Sequence, residues 1–203
     1  MKDSMMLIDK DRIDFLLYAV FGNCKEPFPS VSKRAYLDLC RTIPLNGKSG
    51  SICRARIDTL LEKRIVELIE SCISTQIEYD HWHYATCVQM IDIYKDEDIA
   101  FTFGHAQKWI NMTLKYLFIH DAWDLSKVFD YLHIPIDTYI FAAVEKQLHI
   151  NRPCAVWSKI TDYCVYLDYQ QSIREKLQNH LQSVAPLRWE FSNWLIEAEK
   201  RQL

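Results

Sequence analysis

Two short strings hold the residues best suited to chemistry. Gly104-His105-Ala106-Gln107-Lys108-Trp109-Ile110-Asn111 presents an amine just after a glycine, and Ile134-Pro135-Ile136-Asp137-Thr138-Tyr139-Ile140 presents a carboxylate just after a proline. A deprotonated amine can attack an electron-poor carbon. A carboxylate can accept the proton or stabilise positive charge developing nearby. Each string also has a purely structural reading: Lys108 as part of a solvated helix face, and Asp137 as a residue that caps a helix and favours its dipole.

The elements that would carry these residues read as helices. With a helix beginning near Ala106, Lys108, Asn111 and Lys115 share one face, expected to look into solvent or a cleft. Ala106, Ile110, Leu114 and Leu117 lie nearer another face. From Ile99 through His120 there is no Asp or Glu, so Lys108, Lys115, His105 and His120 make this stretch locally positive despite a formal net charge of −3. That overall charge excludes a broadly basic nucleic-acid coat.

At 203 residues the chain suits one compact domain spanning 1–203, and only 4 glycines and 6 prolines leave too few breakers for a many-stranded fold. Helical spacing is read over Asp9–Phe21, from Ser30 or Ser32 to Ile43, and from Ile52 to about Ile77 as one helix or two. It continues over Trp82–Tyr94, from the Gly104 string to about Ile119, over Asp124–Leu132, from Pro135 to about Leu148, over Thr161–Leu181, and from Pro186 through Leu195. The turn-rich Pro44–Ser51 is the best candidate for a mobile loop. The expectation is an all-α body of about nine helices.

Seven cysteines without a CxxC pair argue against a zinc ribbon or iron–sulfur cluster, and their odd number favours reduced thiols in a cytoplasmic protein. The flanking histidines of His81-Trp82-His83 fall on different helix faces, a poor metal site. No metal or cofactor is expected. No signal-type segment or membrane-length apolar run occurs, and no obligate protein partner is evident.

The Gly104 string resembles the helix–hairpin–helix of the DNA glycosylase superfamily that includes endonuclease III-like and 8-oxoguanine glycosylases, whose usual form is Leu-Pro-Gly-Val-Gly-x-Lys-x-Ala-(Asn/Asp). Gly104, Lys108 and Asn111 match it, while Thr102-Phe103 stands for Leu-Pro and Ala106 for the second glycine. The Asp137 string resembles the family's Pro-Val-Asp-Thr-His-Val, with Tyr139 at the His position. The resemblance covers about 102–148, within a helix–hairpin–helix and catalytic segment of about 99–148, and lacks the cysteine-ligated cluster of some relatives.

The resemblance implies two lobes flanking a cleft, a double-stranded DNA partner carrying a damaged or modified base, and base flipping before the N-glycosidic bond is cut. It implies Asp137 as the catalytic carboxylate and Lys108 as a nucleophile in members that also cleave abasic sites. Gly104, His105, Gln107, Asn111 and Lys115 would contact DNA, and Trp82, Trp109, Trp123 and Trp157 are candidate pocket walls. The 29 residues from Lys108 to Asp137 exceed the family's usual spacing and suggest an unusual base, such as a bulky modified cytosine of phage DNA. The alternative is a non-catalytic helix–hairpin–helix DNA-binding module or an all-α interaction domain.

Overall fold

The computed structural model describes residues 2–23, 25–71, 73–180 and 184–200, and among them the regular elements are all helical. Cys24, Cys72 and Leu181 lie outside the described residues. The α-helices are α1 (Lys2–Phe21), α2 (Pro27–Leu37), α3 (Ser51–Glu70), α4 (Gln76–Asp96), α5 (Phe103–His120), α6 (Thr138–Gln147), α7 (Tyr163–His180) and α8 (Pro186–Glu199). Single 3₁₀ turns occupy Cys40–Thr42, Phe129–Tyr131 and Trp157–Lys159.

Local chemistry explains where these boundaries depart from the periodicity. The apolar run from Ile52 to Ile77 is two helices: α3 stops at Ser71, and Thr75 restarts the chain with a capping box in which its hydroxyl accepts the Glu78 N–H while Glu78 accepts from the Thr75 N–H. Helix α2 begins at Pro27, whose fixed φ suits a first turn, rather than at Ser30 or Ser32. Those two serines instead donate to the Asn23 carbonyl and to Asp58. The expected helix over Asp124–Leu132 is only the 3₁₀ turn Phe129–Tyr131, because Asp124 accepts the Ser126 N–H in a competing local turn. Pro135 likewise does not open α6. It lies in an extended lead-in, and α6 starts at Thr138 with Asp137 as its N-cap.

Helix α5 runs through the middle of the packing, against α2, α4, α7 and the Trp157–Lys159 turn. Every residue from Gly104 to Lys115 is buried. The face carrying Lys108, Asn111 and Lys115 therefore does not look outward, and these side chains reach α6, α7 and α8. Helix α3 lays Cys53, Ile57, Leu61, Ile65 and Leu68 along α4 at steps of three and four residues, the spacing of a single buried stripe.

Helix α1 behaves differently. Of its expected stripe Phe21 is buried and Leu17 packs partly, while Ile13, Leu16 and Val20 are exposed. The Pro44–Ser51 turn is tied down by Lys48, which donates to Asp98 and to the carbonyls of Glu97 and Asp98. Cys40, Cys53, Cys87, Cys154 and Cys164 are free thiols. Among the described residues no helix is long and apolar enough to cross a membrane.

Candidate active site

The start of α5 is built by residues whose sequence pattern resembles a hairpin but whose contacts are internal. Thr102 caps the helix: its hydroxyl accepts the His105 N–H, and the His105 Nδ1 accepts the Thr102 N–H at 3.1 Å, so imidazole takes the place of the usual acidic partner. Burial holds the His105 pKa down at about 4, which keeps the ring neutral, and its Nε2 donates to the Thr42 carbonyl. Gly104 donates its N–H to the Ile160 carbonyl at 3.0 Å, and a Cβ there would lie 1.8 Å from the Trp157 carbonyl oxygen. Glycine is needed for this close approach. Ala106 is helical and carries no positive φ; the left-handed residue of the α4–α5 connection is Asp98.

Four residues later Lys108 Nζ meets Asp137 Oδ2 at 2.7 Å, with the lysine side chain 5% exposed and the aspartate 14%. Asp137 reaches this point on an extended segment that two glutamines grip. Gln107 accepts the Ile136 N–H and donates to the Ile136 carbonyl, and Gln170 of α7 accepts the Ile134 N–H and donates to the Ile134 carbonyl. Asn111 ties Gln107 to Tyr166. Buried amides engaged on both sides fix a strand-like segment that has no sheet around it.

Gln107 and Asn111, expected to touch DNA, are thus positioning residues. With Gly104 and His105 they face protein on every side, and their donors are used internally. Behind them lies a wholly buried polar network. His83 bonds Asn111 and Tyr163, His133 bonds Tyr166 and Asp80, and Asp80 receives Arg174. Burial, which outweighs the help of Asp80, holds His133 at about 4.

Asp137 keeps one oxygen for its capping role, accepting the Ile140 N–H at 2.9 Å, and the other for Lys108, with Trp194 Nε1 at 3.4 Å. Burial alone would raise its pKa, but the Lys108 ammonium and these donors outweigh burial and hold it below the ordinary carboxylate value. Two turns along α5, Lys115 forms a second pair, 2.8 and 2.7 Å from the two oxygens of Glu190 on α8. The same ammonium lies 5.0 Å from the ring centre of Phe191 and 5.6 Å from that of Trp194.

Lys108, Asp137 and Lys115 border a cavity of about 630 Å³, while Glu190 lies behind Lys115 and does not line it. Its aromatic lining comes from Trp157, Trp194, Tyr139, Phe191 and Tyr116, and Arg34 and Arg41 of the α2 region also border it. Of the four tryptophans expected in a pocket, only Trp157 lies here. Trp109 is fully buried and donates to Ser32, Trp82 donates to the Arg64 carbonyl, and Trp123 stacks on Phe28 away from the site.

Sequence reasoning missed Glu190, Trp194 and Gln170. No local pattern distinguishes a glutamate and a tryptophan on a C-terminal amphipathic helix from ordinary surface and core residues. Only the absence of acidic residues between Ile99 and His120 hints that the two lysines must find carboxylates elsewhere. No family model, no curated protein and no solved structure matches this chain.

Proposed function

We propose that this chain is a DNA glycosylase that takes a flipped, modified base into the α5–α6–α8 cavity and cuts its N-glycosidic bond. The observation that carries the reading is the direct contact of Lys108 and Asp137, from two strings 29 residues apart, at 2.7 Å in the wall of an aromatic-lined cavity. In this reading the cavity is the cleft between two lobes, and α4, the 97–102 connection and α5 form the helix–hairpin–helix element.

Departure of the base leaves positive charge on the sugar, and the Asp137 carboxylate beside it stabilises that charge. Trp157, Tyr139 and Trp194 offer faces for an unstacked base. Two nucleophiles fit. Water can attack C1′ while Asp137 takes its proton, releasing the base with the bonding pair and leaving an abasic site. Alternatively the Lys108 ammonium passes a proton to Asp137, its freed lone pair bonds C1′ as the base leaves with the glycosidic pair, and a proton then moves from the new nitrogen to O4′ as the C1′–O4′ bond breaks, opening the sugar to a protonated Schiff base. A bulky modified cytosine, as in phage DNA, is the substrate class the unusual spacing favours.

The test is incubation with duplexes carrying oxidised, alkylated or glucosylated bases, followed by alkali. Strand cleavage lost in Asp137→Asn is the expected result. If no base is released and Asp137→Asn changes nothing, the reading fails. Borohydride trapping on abasic DNA, with the adduct lost in Lys108→Ala, identifies the amine as nucleophile.

A second reading, a non-catalytic DNA-binding or interaction domain, draws on the internal use of the Gly104 and His105 N–H groups and on the net charge of −3. It predicts that Lys108 and Asp137 variants change binding at most.

A further inference from the structure

The cavity beside Lys108 is edged on one side by a stripe from α2 and the turn that follows it. Arg34, Leu37, Asp38 and Arg41 succeed one another at steps of three and four residues, and all four border the space. Most of the charge here is already matched. Lys108 meets Asp137, Lys115 meets Glu190, and Arg34 lies 3.0 Å from Asp38, whose other oxygen accepts the Tyr116 hydroxyl at 2.6 Å. Arg41 is the exception among the described residues: it is exposed, and its guanidinium has no ion pair, hydrogen bond or ring contact. The edge of the cavity thus carries an uncommitted positive charge in a chain whose formal net charge is −3.

The Gly104 turn offers the opposite. The N–H groups of Gly104, His105 and Ala106 go to the Ile160 carbonyl, the Thr102 hydroxyl and the Thr102 carbonyl. All three residues are buried, and Trp157 closes over Gly104. The donors a phosphate would need at a helix start are spent inside the protein.

We propose that the backbone phosphate next to the nucleotide entering the cavity is held by Arg41, so that the DNA strand follows α2 and the Cys40–Thr42 turn instead of crossing the Gly104 turn. The proposal rests on reading the cavity as the receiver of a DNA nucleotide. A nucleotide needs aromatic faces for its ring and a cation for its phosphate. Trp157, Tyr139 and Trp194 border the cavity as the first, and Arg41 borders it as the second. Guanidinium suits this place because its fork spans two phosphate oxygens and it is more weakly hydrated than an ammonium. Holding a strand at a few phosphates is also the mode open to an acidic chain with no basic coat.

The experiment follows the fluorescence anisotropy of a short duplex with one central mismatch, which lowers the cost of unpairing, as the full chain is added over a series of salt concentrations. Wild type is compared with Arg41→Gln, Arg41→Lys and Lys159→Gln, the last removing an exposed cation in the turn that packs on the start of α5. Arg41→Gln is expected to weaken binding about tenfold and to reduce the slope of log affinity against log salt by about one. Arg41→Lys, which keeps the charge, is expected to keep the slope, and Lys159→Gln to change neither quantity. Circular dichroism checks that the variants are folded. A wild-type slope in Arg41→Gln, a reduced slope in Lys159→Gln alone, or no duplex binding by wild type overturns the proposal. Base release is scored separately on modified duplexes. Binding that depends on Arg41 without base release supports the phosphate contact while the excision reading fails, whereas base release with wild-type binding by Arg41→Gln keeps excision and overturns the contact.

Discussion

Helix α5 carries two lysine–carboxylate pairs, built alike and behaving oppositely. Lys108–Asp137 and Lys115–Glu190 have the same contact distance, and both lysines border the same cavity, though of the two carboxylates only Asp137 does. Burial pushes both carboxylates towards protonation. At Asp137 it is outweighed by Lys108, the Ile140 N–H and Trp194, and the group is held below its ordinary value. At Glu190 burial wins over Lys115 and Lys108, with Asp137 adding repulsion, and the pKa rises. An ammonium alone does not keep a buried carboxylate ionised. The additional fixed donors of a helix N-terminus and an indole decide the sign. One pair thus keeps its negative charge in reserve, whereas the other is easily neutralised.

The largest way to break this contrast is chemical. In the excision assay, Asp137→Asn should lower base release by at least about a hundredfold, the scale of a lost acid–base group. Glu190→Gln should leave most of it. Comparable losses in the two variants would mean that the pairs act as one unit.

Stability gives the next test. Removing one partner of the second pair, as in Lys115→Met, should cost about 3–5 kcal/mol in urea unfolding because Glu190 is left buried and alone. Combining Lys115→Met with Glu190→Leu should return stability to within about 1 kcal/mol of the parent. A double variant as unstable as the single one would show that the pair is needed for the fold itself.

Gln107→Leu should cost about 2 kcal/mol, since the N–H and carbonyl of Ile136 lose their partners together. It should also reduce base release by displacing Asp137, whereas Gln107→Glu retains an acceptor for the Ile136 N–H and should recover part of both.

Acidification should separate the pairs by sign. Asp137 has a folded-state pKa below the unfolded one, so its contribution is present at neutral pH and is lost as pH falls below the ordinary aspartate range. Glu190 has a folded-state pKa above the unfolded one, so its contribution is present at low pH and is lost as pH climbs past the ordinary glutamate value. Unfolding curves of Asp137→Asn and Glu190→Gln against wild type should therefore diverge in opposite directions, the Asp137 change falling below the ordinary aspartate range and the Glu190 change above the ordinary glutamate value. Parallel curves would remove the distinction.

The amphipathic spacing of α3, α4, α5 and α7 was readable because burying one stripe requires steps of three and four residues. Caps set the boundaries, and one was visible in principle: the Thr75 to Glu78 spacing is that of a capping box, whereas Thr102 to His105 uses imidazole in a place where acid is expected. Asp137 stood out through the resemblance of its string to Pro-Val-Asp-Thr-His-Val, and its capping of α6 was the structural reading of the same position. That it meets Lys108 was beyond any local pattern, since the contact depends on Gln107 and Gln170 gripping a segment with no periodicity of its own. The same lysine-bearing face was expected to look into solvent or a cleft; it is buried, with Lys108 and Lys115 bordering a cavity, because its carboxylate partners come from the start of α6 and from α8, far along the chain.

Gly104 sets a tolerance. Its missing side chain lets the backbone of α5 rest against the carbonyl of Trp157, so the indole that walls the cavity and the lysine one turn further along α5 share a single joint. The space between Gly104 and that carbonyl has no room for a side chain, since a Cβ would lie 1.8 Å from the oxygen, and one added methyl group would act as a shim, forcing the aromatic wall away from the helix that bears the amine while changing nothing in the chemistry of either.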